Sequence, residues 1–230
     1  NKKVRDVTFT VYKNEIFGIT GLLGSGRTEI LLSLFGVMKP KSGKIVYHNG
    51  KSESLDNPVN AVNSGIALLP EDRKTLGLVL DLTVRENITL SSLKRVTEMG
   101  IINNKKEINF VERLIKFLTI KAESPNVPVK NLSGGNQQKV VLAKCIASEA
   151  KILLLDEATH GVDVGAKEEI FKYIQKLNEE GMTVIMVSSE SDELLKICDR
   201  ILVLKEGRGM DILDRSNMSA DRIMTLSAGE

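Results

Sequence analysis

Val7, Phe9 and Val11 alternate with Thr8 and Thr10, which predicts a half-buried strand. Residues 15–20 form a short, mostly apolar run that ends in a glycine-rich segment, residues 21–28, so a second strand leads into a loop. Beyond that loop Ile30, Leu31, Leu34 and Phe35 mark one face of a helix, closed by Gly36 and then Pro40. Residues 44–48 and 66–69 read as further strands. The character changes near residue 83. Thr83 and Glu86 stand at the spacing of a capping box, in which each side chain bonds the other's backbone N–H, and they open a helix. Ile108, Val111, Leu114, Ile115 and Leu118 recur at helical spacing, bounded by Pro125 and Pro128, and a further helix carries Val140, Val141 and Ile146. Strand and helix then alternate again. Residues 151–155 form a continuous apolar strand of the buried, parallel type; Ile170, Tyr173, Ile174 and Leu177 form a helix stripe ended by Gly181. Residues 183–187 and 200–204 are two more strands. The pattern predicts one α/β domain spanning residues 1–230, with a core from 1–82 and 148–230 and a helical lobe inserted at 83–147.

Composition narrows the class. A chain of 230 residues buries a core without disulfide staples, and 42% hydrophobic with 27% charged residues excludes a disordered polymer. The 32 basic residues against 30 acidic ones give a net charge of +2, so no general nucleic-acid or anionic-membrane footprint is present. Cys145 and Cys198 form neither a metal spacing nor a disulfide framework, and a reducing compartment is expected. No apolar run approaches the roughly 18 residues of a membrane span, and no apolar signal-peptide segment follows Lys2 and Lys3. The chain begins at Asn1 rather than Met, as expected of a segment of something longer.

Three segments carry chemistry. Gly21, Leu22, Leu23, Gly24, Ser25, Gly26, Arg27 and Thr28 have the spacing of a phosphate-binding P-loop, with Arg27 where the motif asks for lysine. Glycines let the backbone wrap so that N–H groups point at phosphate oxygens, the following helix adds its positive end, and the Thr28 hydroxyl can ligate Mg²⁺. A glycine-rich strand-to-helix turn without a ligand has the same pattern. Residues 152–155 lead into Asp156 and Glu157. These two acids are either a solvated loop start or, at the C-terminal edge of a parallel sheet, a ligand of the Mg²⁺ water shell (Asp156) and a general base (Glu157). Leu132, Ser133, Gly134, Gly135, Asn136, Gln137 and Gln138 are the most specific signal. They build an exposed helix N-terminus: the glycines leave amides bare, and Ser133 adds a hydroxyl beside a positive dipole end. An ordinary Ser-capped helix explains Ser133 but neither the glycine pair nor the paired glutamines.

In this order the three elements resemble the ATPases of ATP-binding-cassette (ABC) proteins. Residues 131–140 look like the signature of the simple-sugar importers, the ribose, galactoside and xylose group. The P-loop with Arg27 and Glu29, the run Glu71, Asp72, Arg73, Lys74, and residues 161–167 resemble the second, C-terminal cassette of those two-cassette ATPases. The likeness runs from about residue 4 to the end, including residues 201–207 and 223–229. It implies a P-loop NTPase fold of the ABC ATPase type: a mixed sheet with N-terminal antiparallel strands and an inserted helical subdomain. It also implies ATP and Mg²⁺ as ligands, with Thr28, Asp156 and Glu71 around the metal and Leu132, Ser133, Gly134, Gly135, Asn136 and Gln137 facing the ATP of a partner cassette. That partner is an N-terminal cassette of the same polypeptide or a second cassette. An integral-membrane sugar permease and, indirectly, an extracytoplasmic sugar-binding protein complete the assembly at the cytoplasmic face of a bacterial membrane, with no nucleic-acid partner.

Three polar positions depart from the family pattern together. Arg27 replaces lysine, Glu71 stands at the position of a glutamine, and Ser189 stands where a switch histidine is expected. A planar guanidinium follows a moving phosphate less easily than an ammonium. A carboxylate at Glu71 can ligate Mg²⁺ but cannot donate a hydrogen bond to the nucleophile. Ser189 is too short and uncharged to stand in for an imidazole, and losing one placed electrostatic donor lowers rate by about 10²–10³. The expectation is an asymmetric role: Glu157, Ser189 and Glu71 form a slow catalytic set, while Ser133, Gly134 and Gly135 complete a partner's site. Tolerated variants in a working site remain the other reading. A non-hydrolysing regulatory module and a soluble cassette ATPase unconnected to transport are the alternatives of class. His160 reads as a solvated loop residue, His48 as a hairpin residue beside Asn49 and Gly50, and both cysteines as buried small hydrophobes. Ala158, where the family mostly has proline, bears on loop stiffness. No residue fills the adenine-stacking position that relatives carry upstream of their counterpart of Val4, which implies weak nucleotide affinity in isolation.

Overall fold

The structure, a computed structural model, describes residues 4–46, 52–53 and 57–229. In chain order the first elements are β1 (Ile16–Gly21), α1 (Arg27–Leu34), β2 (Ile45–Val46), β3 (Ser52–Glu53), α2 (Pro58–Asn63) and β4 (Ile66–Leu69). A π-helical turn (Arg73–Gly77) precedes α3 (Val84–Thr89), α4 (Leu93–Val96), β5 (Thr97–Glu98), β6 (Ile101–Ile102) and α5 (Asn104–Phe117). A 3₁₀ turn (Val129–Asn131) then leads into α6 (Gly134–Ala147). The remainder is β7 (Ile152–Asp156), α7 (Val164–Glu179), β8 (Thr183–Val187), α8 (Ser191–Ile197), β9 (Arg200–Lys205), β10 (Arg208–Asp214) and α9 (Ala220–Ala228). The chain divides into two compact units: Asn1–Leu68 with Lys151–Glu157 and Leu177–Glu230, and Leu69–Ala150 with Ala158–Lys176.

The main sheet has the order β10-β9-β1-β8-β7-β4. β1 runs parallel to both β8 and β9, and β7 parallel to β8, while β10 returns antiparallel on β9, so the sheet is mixed. β2 and β3 form a separate antiparallel pair. The parallel strands are apolar on both faces, as burial on both sides demands: every residue of β8 is buried. Phe17 and Ile19 of β1, Leu154 of β7, and Leu202 and Leu204 of β9 share one core with Ile30 and Leu31 of α1. The parallel register also brings the C-terminal ends of β1, β7 and β8 to one edge, the usual ligand edge of such sheets.

Residues 7–11 form no ladder, contrary to the strand that their alternation predicts. Val7, Phe9 and Val11 pack on the core, and Phe9 stacks on Phe17 with ring centroids 5.3 Å apart. The alternation records one-sided burial, which an extended segment achieves without a strand partner. The hairpin at His48, Asn49 and Gly50 lies outside the described residues.

In the second unit the capping box forms as the sequence requires. The Thr83 N–H donates to Glu86 Oε2 at 2.8 Å, and the Glu86 N–H donates to Thr83 Oγ1 at 3.2 Å. α6 is buried along most of its length, through Val140, Val141, Leu142 and Ala143. Lys139 is buried on it and pairs with Glu169, and Lys144 donates to the Gly77 carbonyl. Among the described residues no helix is long and apolar enough to cross a membrane.

Candidate functional site

The glycine-rich segment is the turn from β1 into α1. A Cβ at Gly21 would sit 2.3 Å from the Leu204 carbonyl oxygen, so only glycine fits where the strand leaves the sheet. The Ser25 N–H donates to the Leu22 carbonyl at 3.0 Å, which closes a tight turn and leaves Leu22 and Leu23 exposed. Gly24 has a φ of 79° and open space where a side chain would stand. Gly26, at a φ of 99°, begins α1 without any side-chain cap. The Ser25 hydroxyl is buried without a hydrogen-bond partner among the described residues. An uncapped helix start, an open-sided glycine and an orphan hydroxyl are what a loop shaped around phosphate oxygens presents, and these residues fit that group.

β7 delivers Asp156 to the same unit. Asp156 is 3% exposed and accepts a hydrogen bond from Thr28 Oγ1 at 3.1 Å. A hydroxyl beside a carboxylate is an oxygen donor set suited to a hard cation such as Mg²⁺. Glu157, one residue on, adopts a left-handed φ of 48°, a strained conformation that sites tend to hold in place, and its N–H bonds the Val187 carbonyl at 3.0 Å. Both carboxylate oxygens are engaged. Oε2 accepts from Ser189 Oγ at 3.1 Å, and Oε1 lies 3.5 Å from Arg27 Nη2. Arg27 Nη1 donates to the carbonyls of Gly21 at 2.9 Å and Ser188 at 3.1 Å. The structure thus brings Arg27, Thr28, Asp156, Glu157 and Ser189 together, with the Arg27 side chain only 9% exposed and bonded to protein acceptors.

The other site residues belong to the second unit. Glu71 is exposed just beyond β4. Asp72 accepts from the backbone and hydroxyl of Thr75 and the N–H of Lys74, bonds that hold its carboxyl below the usual range, the Thr75 hydroxyl first. Ser133 caps α6 and is exposed, its hydroxyl accepting from Asn136 Nδ2 at 2.9 Å. Asn136 Oδ1 in turn accepts the Lys121 N–H at 2.8 Å. Leu132 and Gly134 are half-buried and Gly135 is buried; a Cβ on Gly135 would come within 2.8 Å of Ala166 Cβ. Gln137 is turned inward and donates to the Val129 carbonyl at 3.3 Å. Gln138, whose pairing with Gln137 an ordinary cap leaves unexplained, donates to the Ala158 carbonyl at 2.7 Å. Sequence reasoning missed Arg73 as an individual residue; its Nη1 donates to the His160 carbonyl at 2.9 Å and its Nη2 to that of Gly161 at 3.2 Å.

A mixed sheet whose first strand turns through a glycine loop into a helix, and whose parallel strand β7, one strand away across β8, ends in a buried acid, defines a P-loop nucleotide-binding protein. The profile described as "ABC transporter" matches residues 4–160. The ribose import ATP-binding protein RbsA of a Bacillus cereus strain is 46% identical over 227 residues, 99% of this chain and 46% of that protein. RbsA of Bacillus subtilis (strain 168) is 48% identical over 224 residues, 97% of this chain and 45% of that protein. Among solved structures, a bacterial ABC transporter cassette in dimeric form aligns with a TM-score of 0.79 at 26% identity, covering 94% of this chain and 92% of that one. A nucleotide-free ATP-binding cassette from an ABC transporter shares the fold at a TM-score of 0.78 and 20% identity, covering 98% and 89%. The chain belongs to the ABC transporter family. It spans about half the length of the curated relatives it matches.

Proposed function

We propose that this chain is an ATP-binding and ATP-hydrolysing cassette, the C-terminal one of a pair, in an importer of a ribose-like monosaccharide. The observation that carries the reading is the Thr28–Asp156 pair beside a P-loop that opens an uncapped helix. The likeness to RbsA over nearly the whole chain supplies the transport class. The amides of residues 21–28 hold the terminal phosphates. Thr28 and Asp156 are the residues that would hold Mg²⁺, which would neutralise phosphate charge there. Glu157 accepts the proton of the attacking water, and Ser189 orients its carboxylate.

This chain's own turnover is slow on this reading. A base that is already paired with Arg27 and Ser189 has less freedom to approach a water. Ser133, Gly134 and Gly135 complete the ATP site of the partner cassette, and Leu132, Asn136 and Gln137 hold that turn in shape. The helical lobe at 83–147 and residues 71–82 contact an integral-membrane permease, a role supported by the exposure of Leu76 and Val79. An extracytoplasmic binding protein delivers the sugar, and the cassette works at the cytoplasmic face of a bacterial membrane.

The Arg27–Glu157 pair also favours a second reading, a nucleotide-binding regulatory module without turnover. Titration of a labelled ATP analogue with and without Mg²⁺, together with phosphate release, separates the two. The first reading expects Mg²⁺-dependent binding that Asp156→Asn removes, and slow release that Glu157→Gln removes. Binding without release supports the second. Absence of Mg²⁺-dependent binding at millimolar nucleotide overturns both.

A further inference from the structure

Arg73 lies within the segment 71–82 proposed to meet the permease, yet its guanidinium bonds elsewhere, and two glycines are shaped around it. It opens the π-helical turn that follows β4 and spans two successive carbonyls, those of His160 and Gly161, at 2.9 and 3.2 Å. A Cβ on Gly134 would lie 2.8 Å from its Nη2, and one on Gly161 would lie 3.5 Å from its Nη1. The guanidinium therefore packs against the signature turn and the loop at once, and its Nε is buried without a hydrogen-bond partner among the described residues. Gln138 of α6 holds the same loop further back, at the Ala158 carbonyl. The loop's far end is fixed by Asp163, which accepts from the N–H groups of Ala166 (side chain, 2.9 Å) and Lys167 (carbonyl, 2.9 Å). In sequence this loop starts directly after Glu157.

We infer that Arg73 is a positioning residue that fixes loop residues 158–163 against signature residues 133–135, so that the two present one surface to the partner's ATP. The inference deepens the proposed function and rests on it. A planar fork bonds two adjacent carbonyls together, whereas the point charge of a lysine satisfies one geometry at a time. The fixed positive charge also stands beside the start of α6, where it adds to the helix end that receives an anion. Glycine at 134 follows from the same contact, since an alanine methyl there displaces Nη2 from the Gly161 carbonyl.

The test uses the assembled cassette pair with Arg73→Lys, Arg73→Ala, Gly134→Ala and the double variant. Hydrogen exchange at the Ala166 and Lys167 amides reads the loop, and the ATP dependence of turnover reads the surface. Arg73→Ala is expected to speed that exchange and to raise the half-saturating ATP concentration, each by about tenfold, the size of one charge-assisted hydrogen bond. The maximal rate falls less than the half-saturation shifts. Arg73→Lys gives a smaller shift, and Gly134→Ala adds little to the exchange once Arg73 is gone. A general loss of fold is read separately from the urea midpoint, and Arg73→Lys and Gly134→Ala carry the test if Arg73→Ala does not fold. Unchanged exchange in these variants, or faster exchange with unchanged ATP dependence, overturns the inference. Ser133→Arg distinguishes the levels. If it leaves turnover intact, the signature reading is wrong and the inference falls with it. If it abolishes turnover while Arg73→Ala keeps the parent's ATP dependence, only the role of Arg73 is removed.

Discussion

Replacing Arg27 with lysine is expected to tighten ATP binding. Arg27 is tied to the protein by two carbonyl bonds, to Gly21 at 2.9 Å and Ser188 at 3.1 Å, and by its 3.5 Å approach to Glu157. For the guanidinium to meet a phosphate at least one carbonyl bond has to open. A hydrogen bond to a charged group contributes about 1.5–3 kcal/mol net, so binding is weakened by roughly 10- to 150-fold. A lysine ammonium rotates three donors on a flexible stem and can keep a carbonyl while reaching a phosphate. The expected outcome is a MgATP dissociation constant about tenfold lower in Arg27→Lys, near the lower end of that range. Isothermal titration on the parent and the variant, with urea unfolding run alongside to confirm equal folding, gives the answer. Equal or weaker binding by Arg27→Lys refutes the reasoning and makes the arginine a phosphate ligand in its own right.

Two further outcomes test the scaffold. The Thr83 hydroxyl and N–H hold the Glu86 carboxyl below its ordinary value of 4.5, so its share of stability is present above that value and is lost as the pH falls through the lower native one. In urea titrations from pH 7 to pH 3 the parent therefore loses stability on the acid side more steeply than Glu86→Gln; parallel acid limbs would refute it. Burial pushes the Cys145 thiol up from 9.0 to about 12, and burial first, then Asp199, pushes Cys198 upward as well. At pH 8 a thiol reagent should label neither residue in the native chain and both in urea, and the thiols' contribution to stability is lost only as the pH climbs past 9.0.

What the sequence disclosed follows from how local each signal is. The strands at 66–69 and 183–187 coincide with β4 and β8 because short apolar runs set off by a glycine just upstream and by Pro70 or Ser188 at the end read as strands of a buried sheet. The capping box at Thr83 and Glu86 was equally local. α2 escaped notice although Asn57 caps it and Pro58 opens it, because only Ala61 is buried and no apolar stripe exists to see. α9 is similar, with Ile223 and Ser227 as its buried residues. At the site, the spacing of residues 21–28 and the acids at the end of β7 are legible, and the structure adds which atoms meet. The bonds from Arg27 to the Ser188 carbonyl and from Arg73 to the carbonyls of His160 and Gly161 join distant segments through backbone oxygens. A backbone acceptor has no residue type, so no motif announces it.

The asymmetry between a weak site of its own and an intact signature is the central claim, and turnover of the assembled cassette pair measures it. Steady-state phosphate release is compared for Ser133→Arg and Glu157→Gln under saturating MgATP. The account predicts a loss of about 10² or more from Ser133→Arg, the size of one missing transition-state donor, and a much smaller loss from Glu157→Gln. A larger loss from Glu157→Gln than from Ser133→Arg contradicts it.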